Sequence, residues 1–274
     1  MGVDKLNFCG LIGENIQYSK SPIIHNKFYK QNNIQLEYKI FDLKKDDLPY
    51  FIENLNKNKI VGFNVTIPFK EIIMKHLTKV DFMAERIGAV NTVVVNQDEL
   101  TGYNTDYYGF IDSLKGINTK GCAVLIIGNG GSARCVYYAL KDLGVGVISC
   151  LARNKAKAII QMPDDCNVLE IGYEIQFSRY DLIINCTPLG GANYREASPV
   201  VLKDIRQDVL VYDLNYIPNT SKLLMKAKEL GALTKNGDEM LNYQADYTIK
   251  IWCSNLYKGG KYIESFKWII RNNN

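Results

Sequence analysis

Residues 123–133 read Ala123-Val124-Leu125-Ile126-Ile127-Gly128-Asn129-Gly130-Gly131-Ser132-Ala133. The unbroken apolar run from Ala123 to Ile127 suits a buried strand, and the residues from Ala133 to Leu143 suit a helix. Between them stands G-x-G-x-x-A. In that setting glycine permits a tight turn and close approach of backbone to a pyrophosphate, while Ala133 lets the helix pack on the sheet. The helix start adds N–H groups and the positive end of its dipole, both of which favour phosphate. A bare glycine turn could carry the same letters; the strand before and the helix after point to a dinucleotide held by Gly128, Asn129, Gly130, Gly131, Ser132 and Ala133.

An NAD site ends its second strand in a carboxylate that accepts from the ribose hydroxyls. The second strand is expected over Val145 to Cys150, yet no Asp or Glu occurs from Gly144 to Pro163. Ala152-Arg153-Asn154-Lys155-Ala156-Lys157 follows instead. Arg153 and Lys157 can neutralise a 2′-phosphate, so the expected cofactor is NADP.

Outward from this unit, short apolar runs alternate with helix-like stretches over most of the chain, the pattern of an α/β protein with largely parallel sheets. Before it, strands are expected over Phe8–Ile12, Tyr38–Phe41, Ile60–Ile67 and Val90–Val95. Helices are expected from Ser21, as a cap ahead of Pro22, to Tyr29, over Leu48–Leu55 and over Lys70–Leu77. After it, Leu182–Asn185 and Val209–Tyr212 supply strands. From Met240 the chain reads helical nearly to Arg271, ahead of a polar Asn272-Asn273-Asn274 tail.

The 274 residues are 47% hydrophobic, enough for one large domain or two ordinary ones. A formal charge of +4, spread without basic runs, does not suggest nucleic acid. The opening residues carry no apolar targeting segment, and no apolar run approaches the ~18 residues of a membrane span, so a cytoplasmic protein is expected. The 7 cysteines never fall as C-x-x-C and read as small buried hydrophobes in a reducing compartment. His25 and His76 are isolated from other ligand-type residues, so no metal site is expected.

Three polar clusters precede the glycine loop. Ser19 and Ser21 flank a helix start, where hydroxyls and free N–H groups can receive a carboxylate. Asn64 and Thr66 alternate onto one strand face, with Lys70 close behind as a candidate general acid or base. Asn91 can both donate to and accept from a hydroxyl, and Asp106 can accept from one or pair with Lys70.

Taken in order, these pieces resemble the shikimate dehydrogenase family over nearly the whole chain. The likeness is carried by Ser19-Lys20-Ser21-Pro22, by Asn64-Val65-Thr66-Ile67-Pro68-Phe69-Lys70 and by Gly88-Ala89-Val90-Asn91-Thr92. Gly102 to Asp106, the glycine loop, Asn185-Cys186-Thr187-Pro188, Asp213 to Tyr216, and Gly237 with Met240, Leu241, Gln244 and Ala245 continue it. The resemblance implies an N-terminal α/β substrate domain over 1–106, an inserted NADP-binding Rossmann domain over 107–238, and a C-terminal helical return over 239–274, with both reactants in the cleft. It implies Ser19, Ser21, Thr66 and Tyr216 around the substrate carboxylate, and Asn64, Lys70, Asn91, Asp106 and Gln244 around the ring hydroxyls. Lys70 and Asp106 would be the catalytic pair. NADP would be held by the glycine loop, Arg153, Asn154 and Lys157, with Leu214 and Gly237 near the nicotinamide.

The implied reaction is the interconversion of 3-dehydroshikimate and shikimate in chorismate and aromatic amino acid biosynthesis. A broader quinate/shikimate dehydrogenase is the first alternative. A non-catalytic binding relative is the second, suggested by Asp238-Glu239, which replaces apolar or small residues usual in the family. Tyr18 for His, Ala152 for Asn, Gly191 for Met and Asp246 for Ala are further departures. Oligomeric state is not legible.

Overall fold

The computed structural model describes residues 6–97, 99–172 and 175–256. They divide into two compact units. Unit 1 takes the described residues up to 86, those from 90 to 105 and those from 244 onward; unit 2 takes 87–89 and 106–243.

Unit 1 opens with strand β1 (Asn7–Gly13), helix α1 (Ser21–Gln31), β2 (Leu36–Asp42), α2 (Leu48–Glu53) and β3 (Ile60–Val65). It continues through β4 (Lys79–Val80), α3 (Phe82–Ile87), β5 (Thr92–Asn96) and β6 (Glu99–Tyr103). The six strands form one sheet in the order β2-β1-β3-β5-β6-β4. Pairing is parallel from β2 to β3, but β5 lies antiparallel to both β3 and β6. That hairpin departs from the mainly parallel sheet expected, because a polar segment, Glu99 to Tyr103, returns directly beside β5 instead of crossing over.

Strand alternation divides the core. Ile12, Phe63, Val65, Val93 and Val95 pack on one face with Leu48 and Phe51 of α2, whereas Leu11 and Val94 pack on the other with Tyr29 of α1. Ile249, Trp252 and Cys253 join that second face. The Trp252 indole donates to the Val93 carbonyl at 3.0 Å, so the ring's polar edge is satisfied on burial.

Two local expectations change. Residues 70–77 form a short 3-10 segment, Ile72–His76, and not an α-helix. The Lys70 carbonyl is taken by the Val90 N–H at 2.8 Å, so it is engaged outside any helical ladder. Ser21 is not the cap of α1. It lies inside the first turn, Lys20 holds the cap position, and the Ser19 hydroxyl accepts from the Ser21 N–H.

After α4 (Thr105–Ser113), unit 2 runs β7 (Ala123–Ile127), α5 (Gly131–Asp142), β8 (Val147–Ala152), α6 (Lys155–Gln161), β9 (Asn167–Glu170), β10 (Leu182–Asn185), β11 (Leu210–Asp213), α7 (Lys222–Glu229) and β12 (Leu233–Lys235). Every pairing is parallel, in the order β9-β8-β7-β10-β11-β12. This is the doubly wound Rossmann arrangement, whose direction reverses between β7 and β10; ligands of such sheets sit beyond the strand ends at that reversal. Helix α8 (Asp238–Leu256) follows and passes from unit 2 into unit 1 at Gln244. Its expected continuation to Arg271 and the Asn272–Asn274 tail lie outside the described residues, as does the N-terminal reading over residues 1–5.

No helix of the described residues is long and apolar enough to cross a membrane. Five cysteines are buried, as small hydrophobes are, while Cys122 and Cys186 are half-buried.

Candidate active site

In unit 1 the sequence-predicted residues Asn64, Asn91 and Gln244 meet in one buried polar cluster. Asn64 lies near the end of β3, Asn91 precedes β5, and Gln244 lies on α8. The Tyr38 hydroxyl donates to Asn64 Oδ1 at 2.9 Å, and Asn64 Nδ2 donates to the Asn91 carbonyl, Thr92 Oγ1 and Thr248 Oγ1 at 2.9–3.2 Å. Asn91 Oδ1 accepts from the Thr105 N–H at 2.7 Å, and its Nδ2 donates to Thr105 Oγ1 at 2.9 Å. Thr105 Oγ1 in turn donates to Gln244 Oε1 at 3.4 Å. Neutral hydroxyls and backbone groups thereby give each carboxamide a defined orientation, as suits recognition of neutral hydroxyls.

Ser19 and Ser21 are joined by a 3.2 Å hydroxyl contact at the start of α1. Thr66 lies just past β3, its N–H donating to the Ile12 carbonyl. Lys70 is half-buried; its backbone tie to Val90 places it one residue from Asn91 in that pairing. Burial pushes the Tyr18 phenol up, and the charge of Lys70 acts against that rise, which sets the Tyr18 departure in the electrostatic neighbourhood of the expected base.

Behind Asn64 lies an aromatic group. His25 is fully buried, stacks on Tyr38 with centroids 4.2 Å apart and meets the Tyr29 hydroxyl through Nδ1 at 3.2 Å. Its Nε2 has no hydrogen-bond partner among the described residues, and desolvation lowers its pKa to about 3.

In unit 2, Gly128 follows β7 at φ +108°, a conformation L side chains avoid, and a Cβ there would press on Thr187 beyond β10. The loop thus lies at the sheet's reversal. Gly130 holds the cap position of α5 with no side-chain cap, and a Cβ there would meet nothing within 4 Å. Its own packing does not require glycine; open space above a helix start is what a phosphate needs. Asn129 is steadied by Gln161 at 2.5 Å, Ala133 is buried, and Ser132 and Gly131 are half-buried in the first turn.

Arg153, Asn154 and Lys157 are exposed at the end of β8. Asn154 caps α6 by accepting from the Lys157 N–H at 2.9 Å, and among the described residues neither Arg153 nor Lys157 pairs with a carboxylate. The residues present therefore fit NADP: backbone donors for a pyrophosphate and cations for a 2′-phosphate.

Asp213 at the end of β11 is fully buried, and burial raises its pKa against hydrogen bonds from Ser221, Asn215 and Asn185. This network holds the next residue, Leu214, whose N–H donates to the Asn185 carbonyl at 3.1 Å. A Cβ on Gly237 would run into the Leu214 carbonyl, so these two expected nicotinamide-end residues do touch. Glu239 pairs with Lys235 at 2.6 Å, and Asp238 opens α8, where a helix dipole favours negative charge. Both carboxylates of the unusual pair are thus accommodated locally. Tyr216 and Asp106 belong to unit 2, Asp106 buried in the first turn of α4.

No motif singled out Tyr38 or Thr248, which with Thr105 complete the carboxamide cluster, or Arg134 of α5. The Arg134 guanidinium donates to the carbonyls of Ile87 at 2.8 Å and Gly88 at 3.0 Å. Residues 87 and 88 are thereby tied to α5 of the same unit. Only the glycine at position 88 hinted at an unusual backbone there.

The family described as Shikimate dehydrogenase substrate binding domain matches residues 11–93. A Shikimate dehydrogenase (NADP(+)) of Clostridium botulinum (strain Loch Maree / Type A3) is 55% identical over 254 residues, covering 92% of this chain and 98% of its own. Among solved structures, Shikimate Dehydrogenase 1 from Peptoclostridium difficile superposes with a TM-score of 0.84 at 34% identity, over 90% of this chain and 91% of its own. The Thermus thermophilus enzyme in complex with NADP(H) and shikimate gives 0.80 at 28% identity, over 90% and 93%. Similarity this high over nearly the full length of both chains settles the matter of descent: the chain belongs to the shikimate dehydrogenase family.

Proposed function

We propose that the chain catalyses the reversible, NADP-dependent reduction of 3-dehydroshikimate to shikimate, a cytoplasmic step of chorismate and aromatic amino acid biosynthesis. The observation that carries this reading is the 55% identity with a Shikimate dehydrogenase (NADP(+)) across almost all of both chains. In this reading residues 1–106, with the return over 239–274, bind substrate, and residues 107–238 bind cofactor.

Bound NADP would supply the hydride acceptor that oxidation of the carbinol carbon requires. The hydroxyl proton must leave in the same reaction. Lys70, as the neutral amine, takes that proton in the oxidation and returns it, as the ammonium, in the reduction. Asp106 accepts a hydrogen bond from the same hydroxyl and orients it. Ser19, Ser21, Thr66 and Tyr216 donate to the substrate carboxylate, while Asn64, Asn91 and Gln244 fix the ring by its hydroxyls. Arg153 and Lys157 would pair with the 2′-phosphate, Asn154 would hold the turn that presents them, and Leu214 and Gly237 would lie toward the nicotinamide end.

Steady-state assays of the purified protein with NADP and NAD, each against shikimate and quinate, test the assignment. Shikimate with NADP is expected to lead each other pair by roughly tenfold or more in kcat/KM, the margin one charge-assisted contact can supply. Equal turnover of quinate would move the chain to the broader quinate/shikimate reading. Binding without turnover under any cofactor would favour the non-catalytic relative.

A further inference from the structure

Thr248 belongs to none of the motifs read in the sequence. It stands one helical turn after Gln244 on α8 and is fully buried. Its hydroxyl lies 3.1 Å from that of Thr92 and 3.2 Å from that of Thr105, and those two are 3.1 Å apart. Three hydroxyls at mutual hydrogen-bond distance form a ring of three oxygens, each with one proton to place inside the ring or on a neighbour.

Carboxamides press on this ring from both sides. Asn64 Nδ2 reaches the oxygens of Thr92 at 2.9 Å and Thr248 at 3.2 Å, and Asn91 Nδ2 reaches Thr105 at 2.9 Å. On the accepting side, Asn91 Oδ1 lies 3.1 Å from Thr92 and 3.2 Å from Thr105, and Gln244 Oε1 lies 3.4 Å from Thr105. Each hydroxyl brings one proton. With Thr248 present, it can supply a proton to Thr92 or Thr105, leaving theirs for Asn91 and Gln244. Without it, Asn64 Nδ2 loses one of its acceptors, and Thr92 and Thr105 lose the hydroxyl that can donate to them. Several hydrogen-bond patterns then become close in energy, and the carboxamides lose their single orientation.

We infer that Thr248 is a positioning residue, its hydroxyl closing a ring with Thr92 and Thr105 that fixes the carboxamides of Asn64, Asn91 and Gln244 toward the hydroxyls of the substrate. The assignment rests on the shikimate reading above.

The intact enzyme serves for the test. Thr248→Val keeps the side-chain shape and removes the hydroxyl; Thr248→Ser keeps the hydroxyl and removes a methyl. Thr248→Val is expected to raise KM for shikimate about tenfold while KM for NADP stays within about twofold, and Thr248→Ser to return the shikimate KM to within about threefold of wild type. An unchanged shikimate KM in Thr248→Val overturns the inference. So does an equal rise in both KM values, or a Thr248→Ser enzyme no better than Thr248→Val. A readout independent of turnover is the 15N–1H spectrum of the Asn64 carboxamide in unliganded protein. Its NH2 pair is expected to shift and to exchange faster in Thr248→Val but not in Thr248→Ser, and coincident spectra for all three proteins would also overturn the inference. Should the wild-type protein fail to oxidise shikimate, the functional reading falls, while the carboxamide spectra still decide whether Thr248 orders Asn64.

Discussion

In unit 1 the groups assigned to substrate are buried neutral carboxamides, Asn64, Asn91 and Gln244, whose bonds run to partners as distant in sequence as Thr248. In unit 2 the groups assigned to NADP are the backbone of one contiguous loop, Gly128 to Ala133, and the exposed cations Arg153 and Lys157. The contrast follows from the ligands. A ring bearing several hydroxyls is told from its relatives only by donors and acceptors of fixed direction, which demands a closed side-chain network. A pyrophosphate is served by N–H groups and positive charge, which a helix start and two cations provide without burial.

The contrast breaks if variants of these substrate groups disturb NADP, or variants of these NADP groups disturb shikimate. Largest should be Lys70→Ala, which is expected to lower kcat by ~10²–10⁴-fold, the usual worth of a general acid/base, with KM for NADP nearly unchanged. Retained turnover would remove Lys70 from the reaction, and a parallel loss of NADP affinity would show that the two sets of groups are not separable.

Next is a pH effect confined to unit 1. The pKa of His25 is pushed down to about 3 by burial, whereas in the unfolded chain it returns to the ordinary value of 6.5. The unfolded state then binds a proton that the folded state refuses, so this contribution is complete above pH 6.5 and is lost as pH falls toward 3. By about pH 5 the loss amounts to ~2 kcal/mol. Urea unfolding at about pH 7.5 and about pH 5 measures it, and in His25→Phe the difference between the two pH values is expected to shrink by that amount. A His25→Phe protein with the wild-type pH dependence would place the acid sensitivity elsewhere.

Smallest is Arg153→Ala, expected to weaken NADP about tenfold, or ~1.4 kcal/mol, while the KM for shikimate holds. The same substitution should leave the KM for NAD near its wild-type value, because NAD lacks the 2′-phosphate. Equal weakening of both nucleotides would mean that Arg153 acts on the fold of the turn and not on the phosphate.

The difference between the units also decides what could be read from sequence. Strands β7 and β10 are found at the expected residues, because each is a short apolar run bounded by a clear break, and the glycine loop is contiguous. Strand β6, Glu-Leu-Thr-Gly-Tyr, has too little apolar alternation to stand out; only its pairing with β5 makes it a strand. The helix expected over Lys70–Leu77 failed where a backbone bond to Val90 competes for the Lys70 carbonyl, a partner no local pattern reveals. Asn64, Asn91 and Gln244 were legible as motif letters. Tyr38 and Thr248, which with Thr105 give those letters their geometry, were not, since a lone Thr or Tyr is informative only once the strands and α8 have met.

One consequence of the division concerns synthesis. Unit 2 is nearly continuous in the chain, from residue 106 to 243, whereas unit 1 needs residues from 244 onward, among them Trp252 bonded to the central strand β5. On the ribosome the Rossmann sheet can therefore close while the sheet begun first still lacks part of its core. Until residues from 244 onward have emerged, that earlier half lacks Ile249, Trp252 and Cys253, which share a core cluster with Leu11, Tyr29 and Val94.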